Sequence, residues 1–325
     1  MELIQLNNNI ESQIISEQDV TTSRSSFLEA NTEQVTLSHL KNDCIVPVYR
    51  DNEMTISHAE FIQATKEVVE FNYSGSRILD PNIRVSHIMK GRIPSAIGKP
   101  VKELLDHEKT TYYQRTAFII EIPSFTESVN GDKVSLMVGG VRALNQESLF
   151  SKRSLEKFKI CIGAKVHVCT NLCISTDGLN AEIKVASISE LKQKINELIQ
   201  TFNPQSFLSK MERMVHFNLD ELQFAHTIGK LRMFQHLSKE EKADKFHLGL
   251  IDTQVNTMVK EYYNDPNFSR SNEGSINMWN FYNLMTSANK SSYIDSNFER
   301  GANAFEFVSS LCDSIENQTE NWFLN

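Results

Sequence analysis

Hydrophobic positions change their spacing twice along this chain. Residues 1–36 contain few apolar side chains and no glycine or proline, which indicates a flexible or weakly packed arm. In the middle of the chain, short extended runs are separated by Gly and Pro, and we expect strands there, including 83–89, 116–122, 133–138 and 159–169. From residue 187 onward apolar residues recur every three to four positions, which predicts helices.

Local signals mark where several elements begin and turn. Ser57 and Glu60 have capping-box spacing and predict a helix over 57–71. Asn130-Gly131 predicts a hairpin turn, because both central residues of that turn type need positive φ. Gly139-Gly140 lacks the spacing of a phosphate-binding loop, and we interpret it as a strand-end turn or bulge. Predicted helices in the last part of the chain include 219–237, 252–263, 275–288 and 302–315.

These patterns predict an α+β protein, in which an antiparallel-rich sheet from the middle of the chain packs with a mainly helical C-terminal half. The expected organisation has three parts. An N-terminal arm covers 1–36, a β-rich basic region covers 37–186, and a helical region covers 187–325.

Charge is unevenly distributed along the 325 residues. The formal net charge is -8, yet residues 77–167 carry 15 Lys and Arg against 9 Asp and Glu, while both flanking segments are acidic. A local excess of this kind can bind polyanions even when the whole protein is acidic.

The basic middle therefore contains the candidate nucleic-acid-binding residues. Cations neutralise phosphates and aromatic faces stack on bases, as in many single-strand binders. The candidates are Arg84, His87, Lys90, Arg92, Lys99, Lys102, Lys109, Tyr112, Tyr113 and Arg115. The alternative is that these charges pair with the acidic flanking segments as ordinary surface salt bridges.

A second candidate is a helix face that mixes aromatic and polar side chains at intervals of three to four residues. Its members are Trp279, Tyr282, Asn283, Thr286, Asn289 and Lys290. The alternative is structural, since most buried polar side chains satisfy neighbouring backbone groups.

Three of the five cysteines lie close together in the sequence. Cys161, His167, Cys169 and Cys173 include the residue types of a tetrahedral zinc site. Ligands along one strand face are splayed, however, and free cysteines are usually interior. We expect buried structural thiols, with no metal and no cofactor.

Catalytic and membrane signals are weak. The chain has no Gly-x-Ser-x-Gly elbow and no His-Glu-x-x-His motif, so no catalytic residue is assigned and we expect a non-enzymatic protein. It has no apolar run long enough to span a membrane and no secretory signal, and its odd cysteine count argues against a disulfide framework. A cytoplasmic location without a membrane partner is expected.

Six strings carry a resemblance to known families. They are Gly91-Arg92-Ile93-Pro94, Thr111-Tyr112-Tyr113-Gln114-Arg115, Gly139-Gly140-Val141-Arg142, Asn145-Gln146-Glu147, Cys169-Thr170-Asn171-Leu172-Cys173 and Tyr293-Ile294-Asp295. From about residue 40 onward the chain resembles an uncharacterised domain family of Bacteroidota that is abundant on plasmids and integrative elements. In two strings, Val168-Cys169-Thr170-Asn171 and Trp279-Asn280-Phe281-Tyr282-Asn283, it is more distantly similar to the bacterial phage/plasmid-like protein family. The resemblance implies a mobile-element context and no established activity.

Together these observations predict a non-enzymatic nucleic-acid-binding accessory protein of a plasmid, phage or integrative element, acting in replication, recombination or defence evasion. Its expected partner is single- or double-stranded DNA. The alternative is a protein-interaction factor that binds a host or element-encoded protein and no nucleic acid.

Overall fold

The computed structural model describes residues 26–46, 49–50, 53–147, 155–243 and 245–324. Its strands are β1 Glu33–Val35, β2 Tyr49–Arg50, β3 Glu53–Met54, β4 Asn82–Val85, β5 Ile88–Arg92, β6 Lys109–Tyr113, β7 Arg115–Val129, β8 Asp132–Ala143, β9 Glu156–Val166, β10 Leu172–Cys173, β11 Leu179–Val185, β12 Asn218–Leu219 and β13 Ile276–Asn277. Its helices are α1 Leu37–Asn42, α2 His58–Asn72, α3 Ile188–Thr201, α4 Pro204–Met214, α5 Glu221–His236, α6 Lys239–Lys242, α7 Asp252–Asn264, α8 Met278–Asn289 and α9 Ile294–Asn317.

The middle of the chain forms the predicted antiparallel sheet. Its strand order is β1-β4-β7-β8-β9-β10, and β11 pairs with the first half of β9. The β7–β8 turn is the predicted Asn130-Gly131 hairpin, with φ of 53° and 86°. A register shift between Ile122 and Thr126 includes Pro123, a residue that cannot donate a ladder hydrogen bond. The α+β prediction is confirmed.

The two central glycines of β8 let aromatic rings approach both faces of the sheet. A Cβ on Gly140 would lie 2.5 Å from the ring of Phe118, and one on Gly139 would lie 3.0 Å from the ring of Phe298 in α9. Both glycines are regularly paired within the strand, opposite Ile119 and Phe118. The prediction of a strand-end turn or bulge here was wrong. The absence of a side chain at these two positions allows the Phe118 and Phe298 rings to pack closely against the sheet.

The predicted strand 159–169 ends earlier than its apolar pattern suggests. β9 stops at Val166, and the chain turns through Thr170, which has a φ of 61°. It returns antiparallel to β9 as β10, with Cys173 opposite Ala164. Cys169 therefore lies in the turn, away from the strand face that carries Cys161. A pattern of alternating apolar residues cannot show where a left-handed residue reverses the chain.

Capping residues start the helices where the sequence indicates. Ser57 caps α2 in a complete capping box with Glu60, and Ser187 caps α3 by accepting from the Glu190 N–H. The final helix is longer than predicted. It begins at Ile294 and continues through Gly301, where an added Cβ would meet the Asn289 amide and Ile174 at ordinary van der Waals distances of 3.7 and 3.8 Å.

Most of the predicted N-terminal arm, residues 1–25, lies outside the described residues. Within the described remainder, Phe27 and Leu28 are buried in an apolar cluster with Ile294 and Phe298 of α9. β1 then pairs with β4 at one edge of the sheet. In the part of the chain that is described, no helix combines the length and apolar character needed to cross a membrane.

Candidate nucleic-acid interface

The basic segment is built on the hairpin β5–β6. Its two strands form a separate two-stranded sheet, and β6 also makes one isolated parallel bridge, between Thr111 and Cys44. Residues 93–108 connect them through three short 3₁₀ turns, because Pro94, Gly98 and Pro100 interrupt longer regular structure. Residues 88–113, which we call the hairpin lobe, carry five Lys and Arg against three Asp and Glu.

Three cations share one face of this hairpin. In the antiparallel register Lys90 lies opposite Thr111 and Arg92 lies opposite Lys109, and directly opposed residues project to the same face. Lys90 and Arg92, two residues apart on one strand, project to that face as well. We call Lys90, Arg92 and Lys109 the cationic face.

Within the cationic face, like charges stand directly across the hairpin, an arrangement that destabilises a two-stranded pair. Two polar contacts, of which one is an ion pair, offset this cost. Lys109 Nζ lies 2.7 Å from Asp106 Oδ1, and the Arg92 guanidinium donates to the Lys99 carbonyl. Both carboxylate and cation of the Lys109–Asp106 pair are more than half exposed, so the pair is weak and open to competition by an external anion.

The remaining lysines of the lobe differ in their pairing. Lys99 forms an ion pair with Glu108, and the hydrogen bond from Lys99, followed by that from the Leu105 N–H, lowers the pKa of this carboxyl. Lys90 and Lys102 are exposed and have no ion pair with any described residue. These two charges are therefore available to a ligand without the loss of an internal salt bridge.

The lobe also exposes large apolar side chains. Ile88 is 52% exposed, Ile97 46%, Val101 71% and Leu105 56%. Tyr112 lies on the hairpin face opposite to the cations, where its ring would be 3.1 Å from a Cβ on Gly91. Aromatic stacking and phosphate contacts therefore do not converge on a single surface of this hairpin.

Four other candidates do not extend the cationic face. They are Arg84, His87, Tyr113 and Arg115. Arg84, on β4, donates to Thr32 and lies near Glu29 and Glu33 of the N-terminal segment. Arg115, on β7, faces Asp295 of α9 at 3.4 Å. Both cations thus have acidic neighbours within the chain.

Tyr113 is buried, and its hydroxyl lies 3.1 Å from His39 Nε2. His87 is exposed between β4 and β5. The structure therefore brings together Lys90, Arg92 and Lys109, with Lys99 and Lys102 on the same lobe. It separates Arg84, Tyr113 and Arg115 from that set.

The polar helix face of α8 is buried throughout. The Trp279 indole donates to Asp132 Oδ2 at 2.9 Å, and this link ties α8 to the β7–β8 hairpin turn. The Asn171 amide donates to the Asn283 carbonyl and side chain at 3.0 and 3.1 Å. Thr286 donates to the backbone of its own helix.

The end of α8 continues the same arrangement. Asn289 and Asn297 each donate a side-chain amide to the other's backbone carbonyl, at 2.8 and 3.0 Å. Lys290 donates to the Cys169 carbonyl, and burial lowers the pKa of this amine. Tyr282 is fully buried, and its burial raises the pKa of its phenol. These side chains hold the 167–173 turn and the start of α9 in place.

The cysteine-rich turn contains no assembled metal site. Cys161 and Cys173 are buried, Cys169 is half-buried, and burial raises the pKa of all three thiols. Across the described ranges, no group of three or more His, Cys, Asp and Glu is placed to hold a metal ion. His167 instead lies beside Ser135, and its Nε2 is 3.4 Å from Glu121.

The Ser135, His167 and Glu121 cluster does not have the geometry of a catalytic relay. A relay needs the acid on one imidazole nitrogen and the nucleophile on the other, whereas here the same Nε2 contacts both residues. Ser135 is also completely buried. The cluster therefore joins β7, β8 and the end of β9 structurally.

One buried charged group, the Arg142 guanidinium, was not among the candidates predicted from the sequence. Arg142 of β8 is 1% exposed, donates to Glu147 at 3.0 Å and pairs with Glu156. Its guanidinium also lies 4.6 Å from the centroid of the Phe158 ring. The signal available was an arginine at the end of an otherwise apolar strand, which requires an internal acidic partner.

Comparison with known proteins gives one family. A family model described as "Domain of unknown function, B. Theta Gene description (DUF3871)" matches residues 8–324. No curated protein and no solved structure matches the chain.

Proposed function

The chain belongs to this Bacteroidota-named family of unknown function, and from its surface we propose that it binds nucleic acid through the hairpin lobe. The observation that carries the proposal is the alignment of Lys90, Arg92 and Lys109 on one hairpin face, where Lys90 and Lys109 are exposed and Arg92 is half-buried. Phosphates are the ligands that such a row suits, because each bound phosphate would relieve repulsion between neighbouring cations.

The overall charge of -8 does not oppose this function. Exposed charges farther apart than about 10 Å are largely screened at physiological salt, so the cationic face acts through its local field. The proposed ligand is DNA, bound through its phosphates and without sequence discrimination, because cations contact the backbone. Tyr113 lies on the same hairpin face by its register, but it is buried and cannot stack on a base.

The wider context of the proposal is a plasmid, phage or integrative element, in replication, recombination or defence evasion, and it rests on the sequence resemblance alone. We further propose that the protein acts in the cytoplasm. The five cysteines are all free thiols, as is usual in a reducing compartment.

A second candidate function is docking of a host or element-encoded protein on the same lobe. The observation that favours it is the exposure of Ile97, Val101 and Leu105 around the connection between β5 and β6. Clustered exposed apolar side chains are typical of protein-interaction surfaces. This function requires no nucleic acid.

Fluorescence anisotropy with labelled single-stranded and duplex oligonucleotides tests the leading proposal. Three phosphate contacts predict that the logarithm of the duplex binding constant falls with the logarithm of salt with a slope of about -2.7. The test variant is Lys90→Glu/Lys109→Glu, which we expect to weaken binding at least about tenfold at low salt. The substitution of Lys109 places a carboxylate opposite Arg92, so an opposite-charge pair replaces a like-charge pair and the hairpin is retained.

The matched control is Lys239→Glu/Lys260→Glu, which changes the net charge equally at two exposed positions of α6 and α7. We expect the control to keep most of the wild-type affinity. Equal losses in both variants would show that only net charge matters and would overturn the assignment to the hairpin lobe. Absence of wild-type binding at low salt would reject the nucleic-acid function and leave protein docking.

A further inference from the structure

Three side chains of reactive type lie close together at the C-terminal end of α1, next to β6. They are His39, Asp43 and Cys44. His39 Nδ1 lies 2.8 Å from Asp43 Oδ2, and His39 Nε2 lies 3.7 Å from Cys44 Sγ. The carboxylate can only accept, so Nδ1 carries the proton and Nε2 is left as an acceptor. This is the order nucleophile, base and orienting acid that activated thiols require.

The three residues are held by short-range structure. His39 and Asp43 are one helical turn apart, and Asp43 caps the C-terminus of α1 by donating its backbone N–H to the His39 carbonyl. Cys44 then forms a bridge to Thr111 of β6, and the Ile45 N–H donates to the Thr111 carbonyl. The thiol is thereby fixed relative to the imidazole by backbone contacts on both sides.

Cys44 opens onto a groove of about 500 Å³ between α1, α2 and the start of α3. Its lining is mainly aliphatic and includes Leu37, Leu40, Ile45, Val46, Ala59 and Ile188. Lys41, Glu60 and the Lys192–Glu67 ion pair stand among its polar lining groups. A thiol beside an apolar groove of this size fits a ligand with a reactive carbonyl and a hydrocarbon chain.

We propose that Cys44 is an S-acylation site, at which the thiol accepts an apolar acyl group from a thioester donor and the groove holds the acyl chain. The Sγ–H proton passes to His39 Nε2, and the sulfur attacks the carbonyl carbon of the donor. A new thioester bond to Cys44 forms as the donor's carbon–sulfur bond breaks. The departing thiolate takes the proton from His39, so neither an oxidant nor a reductant is needed.

The environment of the thiol makes the imidazole necessary. Burial, followed by the Asp43 carboxylate, raises the pKa of Cys44 to about 11, so the free thiolate is scarce at neutral pH. The Tyr113 hydroxyl lies 3.1 Å from the same Nε2 atom and competes with the thiol for its lone pair. The site is therefore restrained by Tyr113, and removal of that hydroxyl should release the base.

The experiment treats the full-length protein with octanoyl and acetyl thioesters of N-acetylcysteamine and follows acylation by intact mass and peptide mapping. Cys169, also half-buried and with its pKa raised to about 11, is the internal control. We expect Cys44 to react at least about tenfold faster than Cys169, and the octanoyl donor to react faster than the acetyl donor. Equal rates at the two cysteines would overturn the proposal.

Variants test the base and the groove separately. His39→Ala should reduce acylation of Cys44 to the level of Cys169, and added imidazole should restore part of it. Tyr113→Phe should accelerate the reaction, an outcome that loss of structure would not produce. An unchanged rate in His39→Ala, or no acceleration in Tyr113→Phe, contradicts the assigned base.

Ile188→Glu tests whether the groove selects the acyl chain. Ile188 is the first residue of α3, where an acidic side chain is compatible with the helix N-terminus. The variant should lose the octanoyl preference and keep its rate with the acetyl donor. If the preference persists, the groove is not the acyl site. None of these outcomes depends on nucleic-acid binding, so this proposal and the DNA proposal fail independently.

Discussion

The hairpin lobe and helix α8 carry polar side chains of similar kinds, and the two regions use them in opposite ways. On α8, Asn283 and Lys290 are buried and bonded to Asn171 and to the Cys169 carbonyl. On the hairpin lobe, Lys90 and Lys102 are exposed and have no ion pair among the described residues. Both regions combine polar groups with aromatic or apolar neighbours, so composition does not distinguish them.

The difference lies in whether a polar group finds its partner within the chain. A buried polar group without a partner is costly, so α8 can contain its amides only because the 167–173 turn and the start of α9 supply acceptors and donors. A solvated lysine has no such requirement and can exchange water for a ligand. Mutations should therefore affect stability at α8 and binding at the lobe.

The largest expected effect is that of Trp279→Ala. The indole is completely buried and donates to Asp132, so truncation leaves a cavity and an unpaired carboxylate. We expect the free energy of unfolding to fall by about 3–5 kcal/mol. Urea denaturation followed by circular dichroism measures this loss. A loss below about 1 kcal/mol would contradict the interior assignment of this helix face.

Asn283→Ala should follow in size. It removes one of the two acceptors of the Asn171 amide and the donor to the Trp279 carbonyl, which costs about 1–3 kcal/mol through unsatisfied buried groups. Asn256→Ala is the control, since Asn256 is exposed on α7 and should change stability by less than about 0.5 kcal/mol. Equal losses of unfolding free energy in the two variants would contradict the claim that the buried Asn283 amide contributes more to stability than the exposed Asn256 amide.

His58 contacts the end of β6 in the hairpin lobe, and it should make the free energy of unfolding depend on pH. His58 is buried and hydrogen-bonds the Tyr113 carbonyl at 2.8 Å, while burial and then the nearby Arg142 lower its pKa to about 3. Below about pH 6.5 the unfolded chain binds a proton that the folded chain excludes. The free energy of unfolding should therefore fall with decreasing pH, by up to about 1.4 kcal/mol per pH unit.

The test of this pH dependence is urea denaturation of the wild type and His58→Gln at pH values above and below about 6.5, the ordinary pKa of histidine. The wild type should lose stability relative to the variant as the pH falls through this value. Parallel profiles would show that His58 does not titrate in this range in the unfolded chain or that it is charged in the folded protein.

The smallest effect on stability is expected at the tip of the lobe. Val101 is 71% exposed, so Val101→Ser should change the free energy of unfolding by less than about 0.5 kcal/mol. If the lobe binds a protein, this variant should weaken that complex, whereas DNA affinity should remain unchanged. A large loss of stability would mean that Val101 belongs to a packed surface.

Periodicity and turn chemistry were sufficient for the architecture. The spacing of Ser57 and Glu60, the Asn130-Gly131 pair and the change from short apolar runs to apolar repeats of three to four residues were predictive because they act within a few residues of one another. Gly139 and Gly140 were misinterpreted because their role depends on Phe298 and Phe118, which lie far away in the sequence.

The candidate interface was predictable only in part. The count of cations indicated a basic segment, and the proposed face then emerged from the β5–β6 register that aligns Lys90, Arg92 and Lys109. The Cys44 site was missed although His39, Asp43 and Cys44 are neighbours in sequence. The spacing His-x-x-x-Asp-Cys at the end of a helix was a usable signal, but the groove beside it needs α2 and α3.

The sequence by itself determined the α+β class, the hairpin turn, the helix caps and the basic character of the middle, because each depends on local geometry or on charge counted along the chain. Only the tertiary structure decided which polar groups are interior. Burial and pairing depend on contacts between residues that are distant in sequence. Trp279 donates to Asp132, and Lys290 donates to the Cys169 carbonyl, across more than 100 residues. The same contacts separate the satisfied helix α8 from the exposed cations of the hairpin lobe.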